Sequence, residues 1–222
     1  MTLVDVRGDR ETSLRLAAVG GLLFGLLFTL HHVLQGAGPV DSTPAQVAAY
    51  DTAHRGALLG SEVALGVGLL AFLVFLAPLV TLVRRAGQES LAVALLVAGT
   101  VFLALSFVST AAETALVGVA DRQEPAAVVA LNELQGRTPV VWAVTALVTT
   151  LSLAARRTGL LPRWLGTAGL VLAVVFLLAS AASLVGRGVE GGYSLVGVGS
   201  FIVWVLAVSA GLWRSARTEP DT

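Results

Sequence analysis

Leu91-Ala-Val-Ala-Leu-Leu-Val-Ala-Gly-Thr-Val-Phe-Leu-Ala-Leu-Ser-Phe-Val-Ser-Thr-Ala-Ala-Glu-Thr-Ala-Leu-Val-Gly-Val119 carries one ionisable side chain, Glu113, in a run otherwise apolar or small. A helix crosses the hydrocarbon of a bilayer with about 20 mainly apolar residues. This stretch is longer than that, and it is bounded by Arg84, Arg85 and Glu89 on one side and by Asp121 and Arg122 on the other. It therefore reads as a transmembrane helix. The rest of the chain agrees: of 222 residues 56% are hydrophobic and only 13% charged, and the mean hydropathy is +0.86, beyond the usual range of a soluble domain.

Five further runs have the required length: Leu16 to Leu34, Gly56 to Val83, Thr138 to Ala155, Leu165 to Gly186 and Ser194 to Trp213. The fourth span in chain order, from Thr138, is short and opens at Pro139, which suits the first turn of a helix. The expected fold is all-α, a polytopic bundle of six transmembrane helices forming a single integral-membrane domain over 1–222. Residues 1–15 and 214–222 are expected as cytoplasmic segments and 16–213 as the bundle.

Orientation follows from Arg, which is retained on the cytoplasmic side of short loops. With the N-terminus inside, the inner segments hold Arg7, Arg10, Arg15, Arg84, Arg85, Arg156, Arg157, Arg163, Arg214 and Arg217. The outer ones hold Arg55, Arg122, Arg137 and Arg187. Both termini are therefore expected inside. The acidic residues Asp5, Asp9 and Glu11 ahead of the first span favour a signal anchor over a cleaved signal peptide.

Composition removes several function classes. The 14 basic residues balance 14 acidic ones and are all Arg, so no basic excess exists to draw nucleic acid. Without Lys there is no Schiff-base chemistry, and with Cys at 0 there is no thiol nucleophile, disulfide or cysteine metal site. Gly188, Gly191 and Gly192 are followed by no Lys-Ser or Lys-Thr, so they make no phosphate cradle. No cofactor is expected.

Two outer loops read alike: Asp41-Ser-Thr-Pro-Ala-Gln-Val-Ala-Ala-Tyr50 and Asp121-Arg-Gln-Glu-Pro-Ala-Ala-Val-Val-Ala-Leu131. Each holds Pro-Ala-x-Val, with a capping residue or Pro ahead of apolar positions at helical spacing, and each is expected to form a short amphipathic helix at the membrane surface. The likeness continues into the spans, where Ser106-x-x-Ser109-x-x-x-Glu113 matches Ser180-x-x-Ser183-x-x-x-Arg187. The offset between the loops sets His32 opposite Glu113. Three helical hairpins in parallel repeat are the expected arrangement. The pairs Gly21-x-x-x-Gly25 and Gly56-x-x-x-Gly60 read as close helix packing.

Ionisable groups inside a membrane are costly and need a reason. Glu62 and Glu113 each lie about two turns from the outer end of their helices, with His31 and His32 slightly shallower. Together with Ser109 and Thr110, and with Arg137 and Arg187 in reach, they outline an outward-opening polar cavity for a small amphiphile, a proton or an ion. Adjacent histidines point about 100° apart, which sets only one of His31 and His32 on a single pocket wall. Two carboxylates and an imidazole suit zinc or iron by donor type, but no His-x-x-x-His or Glu-x-x-His pair supports it. The purely structural reading pairs the two acids with Arg137, Arg187 or Arg55 to pin helices, or keeps them protonated and hydrogen-bonded to Ser and Thr across the bundle.

The loop Arg156-Arg-Thr-Gly-Leu-Leu-Pro-Arg-Trp-Leu-Gly166 holds itself inside by charge, opens the fifth span at Pro162 and seats Trp164 among lipid head groups. With a third-span acid, here Glu113, it resembles the bacterial family known as domain of unknown function 4386. That resemblance implies a six-span protein of the bacterial inner membrane and no established reaction. The long outer loops and the His31-His32 pair have no place in that family pattern.

Three functions compete on the sequence. The first is a non-enzymatic protein that binds or moves a small amphiphile or ion, with a homodimer expected for so small a transporter. The second is an enzyme acting on a lipid or isoprenoid, with Glu62 and Glu113 as acid and base. The third is an assembly subunit docked on a membrane partner protein.

Overall fold

The computed structural model describes residues 3–36, 43–120, 122, 124–137, 139–185 and 190–217; the side chains of 3–7, 125, 135–137, 182–185 and 190–196 are not described. Seven helices follow in order, with no strand among the described residues: α1 (Leu3–Gln35), α2 (Pro44–Arg85), α3 (Glu89–Ala120), α4 (Pro125–Arg137), α5 (Val140–Thr158), α6 (Arg163–Val185) and α7 (Glu190–Arg217). All but α4 are long and apolar enough to cross a membrane, which makes six spans. Their outward faces are apolar. Val33 is 71% exposed and Val203 66%, with Leu26, Val63, Leu70, Val171 and Leu178 on the same kind of surface. Apolar residues cover both the interior and the exterior, as a lipid-facing bundle requires. The chain is a multi-pass membrane protein.

The start of α2 is set locally. Thr43 and Gln46 form a capping box, the Gln46 N–H donating to Thr43 Oγ1 and the Thr43 N–H to Gln46 Oε1 at 2.8 Å, with Pro44 in the first turn. The expected surface helix after Pro44 does not end before the second span. It continues as one helix of 42 residues, about 63 Å long. Nothing between Tyr50 and Leu59 stops it: Gly56 costs only about 1 kcal/mol in a helix, and no Pro intervenes before Pro78. The second such segment behaves differently, because α4 is separate and Pro139 ends it before α5 begins. At the other end of α5, Gly159 takes φ 67 and its N–H closes onto the Ala155 carbonyl, a conformation that costs other residues about 1 kcal/mol or more.

The six spans close into a ring. In order around it stand α1, α2, α3, α5, α6 and α7, with α7 returning to α1 and the α6–α7 contact the thinnest. Each sequential hairpin is thus a neighbouring pair. At the centre six phenylalanines from four helices meet: Phe24 and Phe28 of α1, Phe72 and Phe75 of α2, Phe102 of α3 and Phe201 of α7. Phe24 is fully buried and its ring lies 5.1 to 6.2 Å from those of Phe28, Phe72, Phe102 and Phe201. Edge-on and offset rings at these spacings fill the axis and attract one another.

Glycine sets how closely the helices approach. A Cβ on Gly20 would stand 2.6 Å from the Phe75 backbone nitrogen, and one on Gly21 or Gly25 would strike Phe75, Ser209 or Leu206. The expected packing of Gly21 and Gly25 is therefore present. Gly56 and Gly60 are different: nothing lies within 4 Å of a Cβ at Gly56, and only Leu34 at 3.8 Å at Gly60. Gly56 is exposed and Gly60 half-buried on a stretch of α2 whose other side buries Leu58 and Ser61, and the close contact with α1 is made instead by Gly20 and Gly68.

Arg85 lies 3.5 Å from Asp9, and Ser215 donates to the Leu160 carbonyl at 3.3 Å. The arginine-bearing ends of α1, α2, α5, α6 and α7 thus share one end of the ring. The ends of α1 and α3, together with α4, share the other.

Candidate functional site

Depth along the helices locates the polar groups. Counting the roughly 20 residues that span about 30 Å from Arg85, Glu89 or Arg15 reaches Leu65, Ser109 and Gln35. Glu62, Glu113 and His31 therefore sit within about one turn of the hydrocarbon edge, at the end away from the arginines. On α2, the spacing Asp51, Leu58, Ser61-Glu62, Leu65 keeps one buried face. On α3, Ser106, Thr110 and Glu113 recur by three and four.

These faces meet. His31, Glu62 and Glu113 are 4%, 6% and 7% exposed. His31 Nδ1 donates to the Ser61 carbonyl at 3.1 Å and stands 3.6 Å from Glu62 Oε1. Ser61 donates to the Leu58 carbonyl at 2.7 Å and lies 3.3 Å from Glu62 Oε1. The Glu113 carboxyl and Thr110 stand beside the Glu62 carboxyl, and Gln35 Nε2 donates to Glu113 Oε1 at 2.5 Å. Two carboxyl groups in such contact bond to each other only when one carries a proton and donates it.

Both histidines border this cluster. The 100° between their directions brackets it rather than excluding one of them: their rings are 4.7 Å apart and both pack on Phe28. Phe28 in turn stacks on Phe24 at 5.2 Å. The aromatic core thus forms the floor of the polar site, one turn further along α1.

Five buried side-chain polar atoms have no hydrogen-bond partner among the described residues: His32 Nε2, Asp51 Oδ2, Glu62 Oε2, Thr110 Oγ1 and Ser152 Oγ. Three of them, on His32, Glu62 and Thr110, converge on the cluster, and Asp51 follows on the same face of α2 and acts electrostatically on Glu113. A buried polar atom left without a partner costs about 1–3 kcal/mol. Their concentration in one cluster sets it apart from the rest of the bundle.

Of the residues expected from sequence, His31, His32, Glu62, Thr110 and Glu113 come together. Ser109 is half-buried on α3 beside them. The side chain of Arg137 and the whole of Arg187 lie outside the described residues, so pairing of the acids with those two arginines lies outside them too. Among the described residues no group of three or more His, Asp or Glu gathers as a metal site. The structure adds Gln35, Tyr50 and Asp51. Tyr50 donates to the Gln35 carbonyl at 2.9 Å and stacks on His54 at 4.2 Å, so α2 holds the end of α1 over the site. Gln35 stands one turn beyond His31 and Asp51 three turns before Glu62, which is the spacing that could have revealed them.

A separate groove lined by Pro162, Trp164, Leu165, Gly211, Arg214 and Ser215 lies at the arginine-rich end and takes no part in this cluster. Comparison of the chain with protein-family models, with curated proteins and with solved structures finds no match.

Proposed function

We propose that this membrane protein binds, and in a second conformation moves, a small ion or amphiphile at the cluster formed by His31, His32, Glu62, Thr110 and Glu113. The observation that carries the reading is the convergence of unpartnered buried polar atoms from three helices at the edge of the hydrocarbon. Intramembrane carboxylates are retained where they serve an ion or substrate path. The phenylalanine floor supports one-sided access, since a ligand reaching Glu62 would meet the ring of Phe28 before any route onward.

The arginine partition supports the reading that this end faces outward across a bacterial inner membrane, with both termini cytoplasmic. The Arg156 to Gly166 loop is the ground for proposing kinship with the domain of unknown function 4386 family.

Single-cysteine variants test the reading, as the native chain has no cysteine. With a membrane-impermeant maleimide in intact cells, Glu62→Cys and Glu113→Cys are expected to label more slowly than the Tyr50→Cys control, but completely. Absence of labelling at both, with the control reacting, would remove the binding site and leave the assembly-subunit reading.

A further inference from the structure

The chemistry of the cluster says what class of ligand it takes. Its carboxyl groups come from two helices, and the atoms without partners include Glu62 Oε2, on a side chain 6% exposed, and Asp51 Oδ2, on a side chain also 6% exposed. Ionised carboxylates only accept hydrogen bonds. Of the donors present, His31 Nδ1 goes to the Ser61 carbonyl, Ser61 Oγ to the Leu58 carbonyl, Gln35 Nε2 to Glu113 and Tyr50 to the Gln35 carbonyl, while the Thr110 hydroxyl and His32 Nε2 stand without partners and can each accept from a ligand. A further group that satisfies Glu62 Oε2 must therefore donate, and beside two acids a positive donor is favoured over a neutral one.

The charged and titratable neighbours can be named by helix. On α1 they are His31 and His32. On α2 they are Asp51, with His54 and Arg55 exposed beside it, and Glu62. On α3 there is Glu113. On α4, which packs over α2 and α3, Glu133 is exposed. A cation arriving at a singly protonated pair of carboxyls takes the proton's place without changing the charge buried there.

The floor decides between a bare metal ion and an organic cation. The acids and imidazoles do not gather as a metal site among the described residues. Phe28, half-buried, packs beside both imidazoles, which suits an ammonium group and the carbon skeleton attached to it. We propose that the site binds a small organic monocation, an ammonium head on an apolar body, in exchange for the proton shared by Glu62 and Glu113. This rests on the binding reading above and names its ligand class.

The test uses the purified full chain in detergent with three probes of one size: n-hexylammonium, n-hexanol and n-hexanoate. Hexylammonium is expected to raise Tm where the other two do not, and to release about one proton per cation bound in weakly buffered solution. Glu62→Gln is expected to weaken the hexylammonium response about thirtyfold or more. Phe28→Leu, which keeps the carboxyls and suits a helix, is expected to weaken it about threefold or more through loss of the ring face, and it serves where Glu62→Gln does not fold. An equal response to hexanol, binding without proton release, or no response to hexylammonium would each overturn the assignment. Those failures leave the binding reading standing if Glu62→Cys still labels, whereas failure of that labelling removes both.

Discussion

Gln35 at the last turn of α1 and Glu113 on α3 are joined by a 2.5 Å hydrogen bond across a sequence separation of 78. The amide is itself held by its own backbone, since its carbonyl accepts from Tyr50 of α2. One residue thus ties the ends of three helices directly above the buried acids. An amide suits this place, because it donates to a carboxylate without adding charge to the hydrocarbon edge.

Replacing Gln35 by Leu removes the donor and leaves Glu113 with one bond fewer. Hydrogen bonds to charged groups contribute about 1.5–3 kcal/mol, so Gln35→Leu is expected to destabilise by about 2 kcal/mol in thermal or denaturant unfolding. The effect should fall by about half in a Glu113→Gln background, whose amide oxygen still accepts but carries no charge, giving a coupling of about 1 kcal/mol in the double-mutant cycle. Additive losses would show that the contact carries no stability.

Gly20 and Gly56 should respond in opposite ways to the same change. A methyl at Gly20 meets backbone atoms of α2 at 2.6 and 2.8 Å, and backbone cannot rotate aside, so Gly20→Ala is expected to cost about 1–3 kcal/mol. At Gly56 nothing lies within 4 Å, and Gly56→Ala gains helix propensity of up to about 1 kcal/mol. Melting temperatures of the two variants in one detergent decide the matter; a loss at both would mean that α2 packs against something at Gly56.

How much of this the sequence discloses depends on the range of the interaction. The spans are legible because hydropathy is a local property of about 20 residues, and Glu62, Glu113 and the two histidines stand out because charge is rare there. The continuity of α2 through Gly56 was less visible, since a surface segment of Pro, Gln, Asp and His reads as an interruption, although helix propensity alone carries it onward. Gln35 and Asp51 escaped notice for another reason. At a helix end such residues are ordinary, and only the pairing of α1 with α3 and α2 makes them part of a site. Gly20 was likewise hidden beside Gly21, because the facing helix decides which of two adjacent glycines meets backbone.

Phe24 is the keystone of the aromatic floor, in ring contact with α2, α3, α7 and its own helix neighbour Phe28. Phe24→Ala is expected to cost about 3–5 kcal/mol. Because lipid offers no hydrophobic drive for helix association, that loss is one of packing, and Phe24→Leu should recover more than half of it. If Phe24→Ala melts like the native protein, the rings do not hold the ring of helices closed.

Two buried serines, outwardly alike, should differ in sign. Ser61 and Ser152 are both fully buried. Ser61 Oγ donates to the Leu58 carbonyl and neighbours Glu62, so Ser61→Ala removes a made bond beside an acid and is expected to cost about 1 kcal/mol. Ser152 Oγ has no partner among the described residues and points at Gly169, where a Cβ would lie 2.0 Å away, next to Trp204 Nε1 at 2.7 Å. Ser152→Ala relieves an unsatisfied hydroxyl and is expected to be neutral or stabilising by up to about 1 kcal/mol. It should also make room, so that Gly169→Ala, destabilising in the native chain, costs less in the Ser152→Ala background. Unfolding of the four single and double variants under one condition measures both effects. A loss at Ser152→Ala equal to that at Ser61→Ala would mean that the Ser152 hydroxyl is satisfied in the folded protein.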